Sequence, residues 1–220
     1  MKLVRSTLLV RSTVLIATAL LATTGCNRKS DYTSRDTAAI NNFYSSRPSC
    51  LWNEPTNFPK QADTSGSEKT SQLDSLVDAG LLTRTTAEKK VFIVASKQVN
   101  NYDLSDKGRS AWAADPQQPG YGNFCYGHRK VTSIDNAGPI DNDAAGATAT
   151  VQFHYAIANV PDWAKNGGVQ TAFPQLRSDL AGQQTSTATI TNTPNGLQVT
   201  SVPGSASYPG ATSADGQIVK

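Results

Sequence analysis

Metal-ligand sets, charge clusters and long apolar runs are all scarce in this chain of 220 residues, which holds two histidines, three cysteines and one methionine. His128 and His154 are too few to hold zinc, which takes four ligands or three plus water. No Asp, Glu or free Cys is placed by sequence to complete a set, so no metal is expected. There is no Cys-x-x-Cys, which removes the commonest dithiol redox motif. Gly-x-Ser-x-Gly, a phosphate-cradling glycine loop and a dinucleotide fingerprint are missing as well. No catalytic residue is nominated and no cofactor is implied.

Charge is equally thin. Three of the 20 basic residues, Lys2, Arg5 and Arg11, fall in the first 25 positions, leaving 17 basic against 17 acidic residues. The basic balance therefore belongs to the N-terminus alone. Beyond it no run of Lys or Arg exceeds Lys89-Lys90, so nucleic acid is not an expected partner. The apolar run over 14–22 is far shorter than the roughly 20 residues a spanning helix needs.

What is present at the N-terminus has an order. Basic residues come first, the apolar run follows, and small residues Thr23-Thr24-Gly25 precede Cys26, the sequence of regions in a secretory signal. Thr23-Thr24-Gly25-Cys26 resembles the lipobox of bacterial lipoproteins, with Thr23 where Leu is usual. The resemblance implies cleavage before Cys26 and acyl chains on that cysteine, making the lipid bilayer its partner. More than one chain gives stable rather than marginal anchoring. Asn27 is similar to the outer-membrane-directed class, which implies a cell-envelope location facing the periplasm. The alternative is an ordinary cleaved signal with Cys26 free or paired.

If Cys26 is lipidated, Cys50 and Cys125 remain in an oxidising compartment, and a structural disulfide between them is expected. Along the body, 26–38 reads as a polar tether. Ala38, Ile40, Phe43 and Tyr44 recur at helical spacing, and Leu73, Leu76, Val77, Leu81 and Leu82 mark a second helix. Extended stretches at 91–94 and 99–104 follow, and Ser105 stands where a helix cap belongs. Strands are expected near 124–134 and over 148–160, where Val151, Phe153, Tyr155 and Ile157 alternate on one face. Asn195-Gly196 predicts a hairpin turn. Asp141-Asn-Asp-Ala-Ala-Gly146 begins like a calcium loop but has Ala145 and Gln152 at two ligand positions, so an Asx-rich turn is expected.

These features predict an α+β fold: a small antiparallel sheet of three to four strands with helices packed on one side, plus an N-terminal helix-hairpin-helix portion. The organisation expected is a signal over 1–25, a lipidated tether over 26–38, one domain over 39–202 and a disordered tail over 203–220. Within the domain, 39–115 would be helix-rich and 120–202 would form the sheet.

Tyr102-Asp-Leu-Ser-Asp-Lys-Gly108 after the Leu-rich helix resembles the strand and helix start that follow the wing of winged-helix regulators. Residues 67–82, with one Lys and three acids, lack the basic recognition helix of that family, so its DNA-binding role does not transfer. Together with Phe124-Cys-Tyr-Gly127 and Val160-Pro-Asp-Trp-Ala164, the same stretch resembles a group of bacterial lipoproteins to which no activity is attached. The function expected is a membrane-anchored, non-enzymatic binding or structural module whose partner is another envelope protein. The alternative is a hydrolase or small-ligand-binding protein with a pocket near the sheet. Tyr126, His128, His154 and Trp163 are the candidate binding surface.

Overall fold

The computed structural model describes the backbone of residues 25–64, 68–92, 95–137 and 144–203, and the side chains of 32–64, 70–90, 96–137 and 144–203. Residues 1–24 of the expected signal, 204–220 of the expected tail and the start of the Asx-rich turn at 141–143 lie outside the described residues, as does the side chain of Cys26.

Helix α1 spans Gly25–Ser45, so the segment read as a tether is helical in its backbone. Its spacing explains the packing: Asp36, Ile40 and Tyr44 recur every four residues and are all buried. After α1 come three short strands, β1 (Ser49–Cys50), β2 (Thr56–Asn57) and β3 (Lys60–Asp63), then helix α2 (Glu68–Asp78). A long hairpin follows, β4 (Leu82–Phe92) and β5 (Ala95–Leu104), and then α3 (Asp106–Ala111) and β6 (Trp112–Ala114). Strands β7 (Tyr121–Asn136) and β8 (Thr148–Ala158) form the centre. A single 3-10 turn over Asp162–Lys165 leads into α4 (Gly167–Ala172) and α5 (Pro174–Leu180). Strands β9 (Gln184–Thr193) and β10 (Gly196–Ser201), joined at the expected Asn195-Gly196 turn, complete the order.

The expected α+β arrangement is corrected by this topology. The molecule is mostly β, with a seven-stranded antiparallel sheet and a separate three-stranded sheet. In the large sheet β1, β7, β8, β9 and β10 lie in that order, and β2 and β6 also pair with β7. The small sheet runs β3-β5-β4. The discrepancy has a physical cause. Strands β1, β2, β3 and β6 are two to four residues long, too short to show a period of two. They become strands because β7 and β5 offer unpaired backbone edges, a non-local cause absent from their own composition. Strand β7 itself is longer than the strand expected near 124–134 and continues through Gly127 and two register shifts.

Two cores result. Val151, Phe153 and Tyr155 on β8 and Ala188 and Ile190 on β9 pack under Ile40 and Tyr44 of α1. The opposite face of the same strands carries Thr148, Thr150 and Gln152 beside Thr185, Thr187, Thr189 and Thr191, the polar alternation of a one-sided antiparallel sheet. The second core joins Leu73 and Leu76 of α2 to Leu81, Tyr102, Phe124, Trp163, Phe173 and Leu176. Aromatic rings meet edge to face there: Trp112 and Phe124 centroids are 4.9 Å apart, and those of Phe124 and Trp163 are 5.9 Å apart. In chain order α2 is followed by the β4–β5 hairpin and α3, and β3 pairs with β5 to make that hairpin a three-stranded sheet.

Candidate functional site

Cys50 and Cys125 are bonded, with α-carbons 3.8 Å apart across the β1–β7 pair. The bridge spans 75 residues of sequence, and its Cys125 lines an open groove of about 520 Å³. Volumes of roughly 300–1,000 Å³ are usual for small-ligand sites.

The groove exists because three elements are forced close together. Helix α3 starts at Ser105, whose side chain caps it by accepting from the Gly108 amide (2.8 Å) and itself donates to the Gly80 carbonyl (2.6 Å). Gly108 is buried directly against the Leu81 carbonyl, where a Cβ would collide with backbone. This seats α3 on the end of α2 and directs Lys107 and Ser110 to the groove. Lys107 Nζ donates to the Ala79 carbonyl (2.8 Å), a cation placed at a helix C-terminus.

On β7, Gly127 adopts φ 141° and lies so close to the Ala158 carbonyl that no side chain fits there. Its neighbour His128 reaches the groove, with Nδ1 3.3 Å from the Tyr44 carbonyl. A carbonyl only accepts, so Nδ1 carries the hydrogen in this contact, and a neutral ring presents a lone pair at Nε2. The third wall follows β8. Asn159 sits in the left-handed region at φ 60°, the one non-glycine residue described there, and turns the chain into Pro161 and Trp163.

Of the four candidate surface residues, His128 and Trp163 are brought together in this groove. Trp163 is nonetheless 6 % exposed, one edge in the core and the other forming the groove wall. Tyr126, 2 % exposed, faces the core, where its hydroxyl donates to Asp179 Oδ2 (2.6 Å). Burial, and next the hydrogen bond to the Asp179 carboxylate, hold that phenol well above its ordinary range. Gln175 Nε2 donates to the other oxygen of Asp179 (2.7 Å).

His154 stands elsewhere on the sheet. Nε2 meets Asp135 Oδ2 (2.9 Å) and Nδ1 meets Thr185 Oγ1 (3.1 Å), giving a carboxylate, imidazole and hydroxyl in line. Chemically this is a relay order, but it lies on a sheet surface where His154 pairs with Thr185 in the β8–β9 ladder. The three side chains come from three neighbouring strands, with Asp135 at a register shift of the β7–β8 ladder. The relay therefore works as a cross-strand polar contact. His128 pairs with Ala158 and His154 with Ser133, so the two imidazoles stand several residues apart along the strands and share no ligand set. Among the described residues no group of three His, Cys, Asp or Glu converges.

Sequence reasoning missed Lys107, Ser110 and Asn159. A signal existed for two of them. Lys107 follows the Ser105 cap by two positions, and Asn159 ends an alternating strand just before Val160-Pro161, where Asn tolerates a left-handed turn. Among the described residues no helix is long and apolar enough to cross a membrane. No family model, curated protein or solved structure matches this chain.

Proposed function

We propose that this is an exported, lipid-anchored envelope protein that works as a non-enzymatic binding module, held through acyl chains on Cys26 on the periplasmic side of the outer membrane. The observation that carries this reading is the cysteine arithmetic. Of three cysteines, Cys50 and Cys125 are bonded to each other, and Cys26 is the one outside the bridge, directly after a signal-like leader. A disulfide is at home in an oxidising compartment, which supports export. Its partner in this reading is another envelope protein or a ligand presented there, met at the groove beside His128.

The test is metabolic labelling with a clickable fatty acid, comparing wild type with Cys26→Ala in membrane and soluble fractions. Loss of both label and membrane association in the variant is the expected result. A wild-type chain that is unlabelled and soluble would refute the anchor.

A second reading has its own observation. The groove is lined by His128, held in one tautomer, and by Ser110, which would suit a small-ligand site or a hydrolase. Against catalysis, the group that orients His128 is a carbonyl and not the carboxylate of a catalytic triad. Hydrolysis of short chromogenic esters that disappears in His128→Gln would establish the enzyme.

A further inference from the structure

We propose that the groove between α3, β7 and the segment after β8 binds an organic anion, a carboxylate head on a compact apolar body. This deepens the binding-module reading and depends on it.

Among the described residues that line the groove, Lys107 is the fixed cation and none is Asp or Glu. Its ammonium has three hydrogens, and the Ala79 carbonyl takes one. The nearby acid is already satisfied. Asp162 is held below the usual carboxylate range first by a hydrogen bond from Lys165 (2.9 Å), then by the Lys165 charge, with Lys107 acting only from farther off. A carboxylate entering the groove therefore meets a cation still able to donate.

Neutral groups support the same head. Ser110 donates to the Asp106 carbonyl (3.0 Å), which leaves its oxygen free to accept from a ligand hydroxyl or amide. His128 Nε2, a lone pair in the neutral ring, does the same. An acid with a hydrogen-bond donor close to its carboxylate fits this set better than a bare one. The body of the ligand is set by the remaining walls: Pro48, Ala111, Pro161, Trp163 and the disulfide-bonded Cys125 are all apolar or nearly so. These walls are preformed. The disulfide, the Ser105 cap and the tight Gly127–Ala158 approach hold them without a ligand, and such preorganisation lowers the entropic cost of binding.

The test uses the exported full chain carrying Cys26→Ser, purified from the periplasm, with hexanoate and hexanamide as matched probes followed by amide and indole NMR shifts. Saturable binding of hexanoate, with shifts at His128 and the Trp163 indole and hexanamide about tenfold weaker, is expected. Lys107→Gln should remove most of that preference, and Ser110→Ala, which leaves the helix contacts of Lys107 intact, should alter shifts at the groove alone. Equal affinity for the two probes, no saturable shift, or shifts clustering away from the groove would overturn the inference. Because the fatty-acid label is read separately, a negative result here leaves the anchor standing, and an unlabelled chain that still prefers hexanoate leaves the groove standing.

Discussion

Tyr126 on β7 donates its hydroxyl to Asp179 on α5 across 2.6 Å, 53 residues apart in sequence and with both side chains buried. The contact ties the centre of the large sheet to the last helix, and it explains how a carboxylate is tolerated in that core. Asp179 keeps two partners, the phenol and Gln175. Buried charged acceptors are costly only when left without donors.

Tyr126→Phe should therefore cost about 1.5–3 kcal/mol, the range for a hydrogen bond to a buried charged group. Urea unfolding read by circular dichroism measures it. A loss below about 0.5 kcal/mol would show that the pair contributes no net stability and that the carboxylate is solvated instead.

Breaking the bridge with Cys50→Ala and Cys125→Ala together should lower stability by up to about 4 kcal/mol, the chain-entropy figure for a loop of this length. Reduction of the wild-type chain should reproduce most of the effect. If the double variant and the reduced protein both unfold at the wild-type midpoint, the bridge does not constrain the unfolded chain.

Asp36 predicts a pH dependence with a definite sign. Its Oδ2 is buried without a partner, and burial pushes its carboxyl from 3.8 up to about 6, partly opposed by Arg35. Strands β9 and β10, on which α1 also packs, contain no charged residue that could offset it. A carboxyl with a raised folded-state pKa contributes stability that is fully present below about pH 4 and is lost as the pH rises through about 6. Asp36→Asn should abolish that fall and make the protein more stable at pH 7 by on the order of 1–3 kcal/mol. Thermal melts at pH 4, 5, 6 and 7 decide it; parallel curves for the two proteins would mean that Asp36 is solvated.

Gly108→Ala should be among the most damaging single-methyl changes, at about 2 kcal/mol or more, because the new Cβ collides with the Leu81 carbonyl and backbone cannot move aside as a side chain can. Gly120→Ala makes a useful contrast. Nothing lies near a Cβ there, but φ is 85°, so only local backbone strain opposes it. A Gly108→Ala chain as stable as wild type would mean that α3 sits farther from α2.

How much of this was legible depended on whether the cause was local. The Ser105 cap, the alternation along β8 and the Asn195-Gly196 turn were read directly, since each is set by a few neighbouring residues. Tyr126 and Trp163 belong to the binding surface expected from sequence, yet both are buried, and of the two Trp163 lines the groove. Their direction follows from which face of β7 and of the segment after β8 is covered, and short motifs carry no record of that. The sheet was undercounted for the same reason, as Ser49-Cys50 and Thr56-Asn57 have no strand signature of their own.

The chain's own sequence determined the balance of charge beyond the first 25 residues and the position of the capped helix, because counting and nearest-neighbour chemistry suffice for these, whereas it pointed to the pairing of Cys50 with Cys125 only through the expectation that Cys26 is lipidated. The tertiary structure alone decided that β7 would collect four partner strands, that His128 and His154 would stand apart, and that Lys107, His128 and Trp163 would meet in one groove. Those outcomes rest on backbone edges and buried faces contributed by segments far apart in sequence, whose free energy exists only once the sheet has formed.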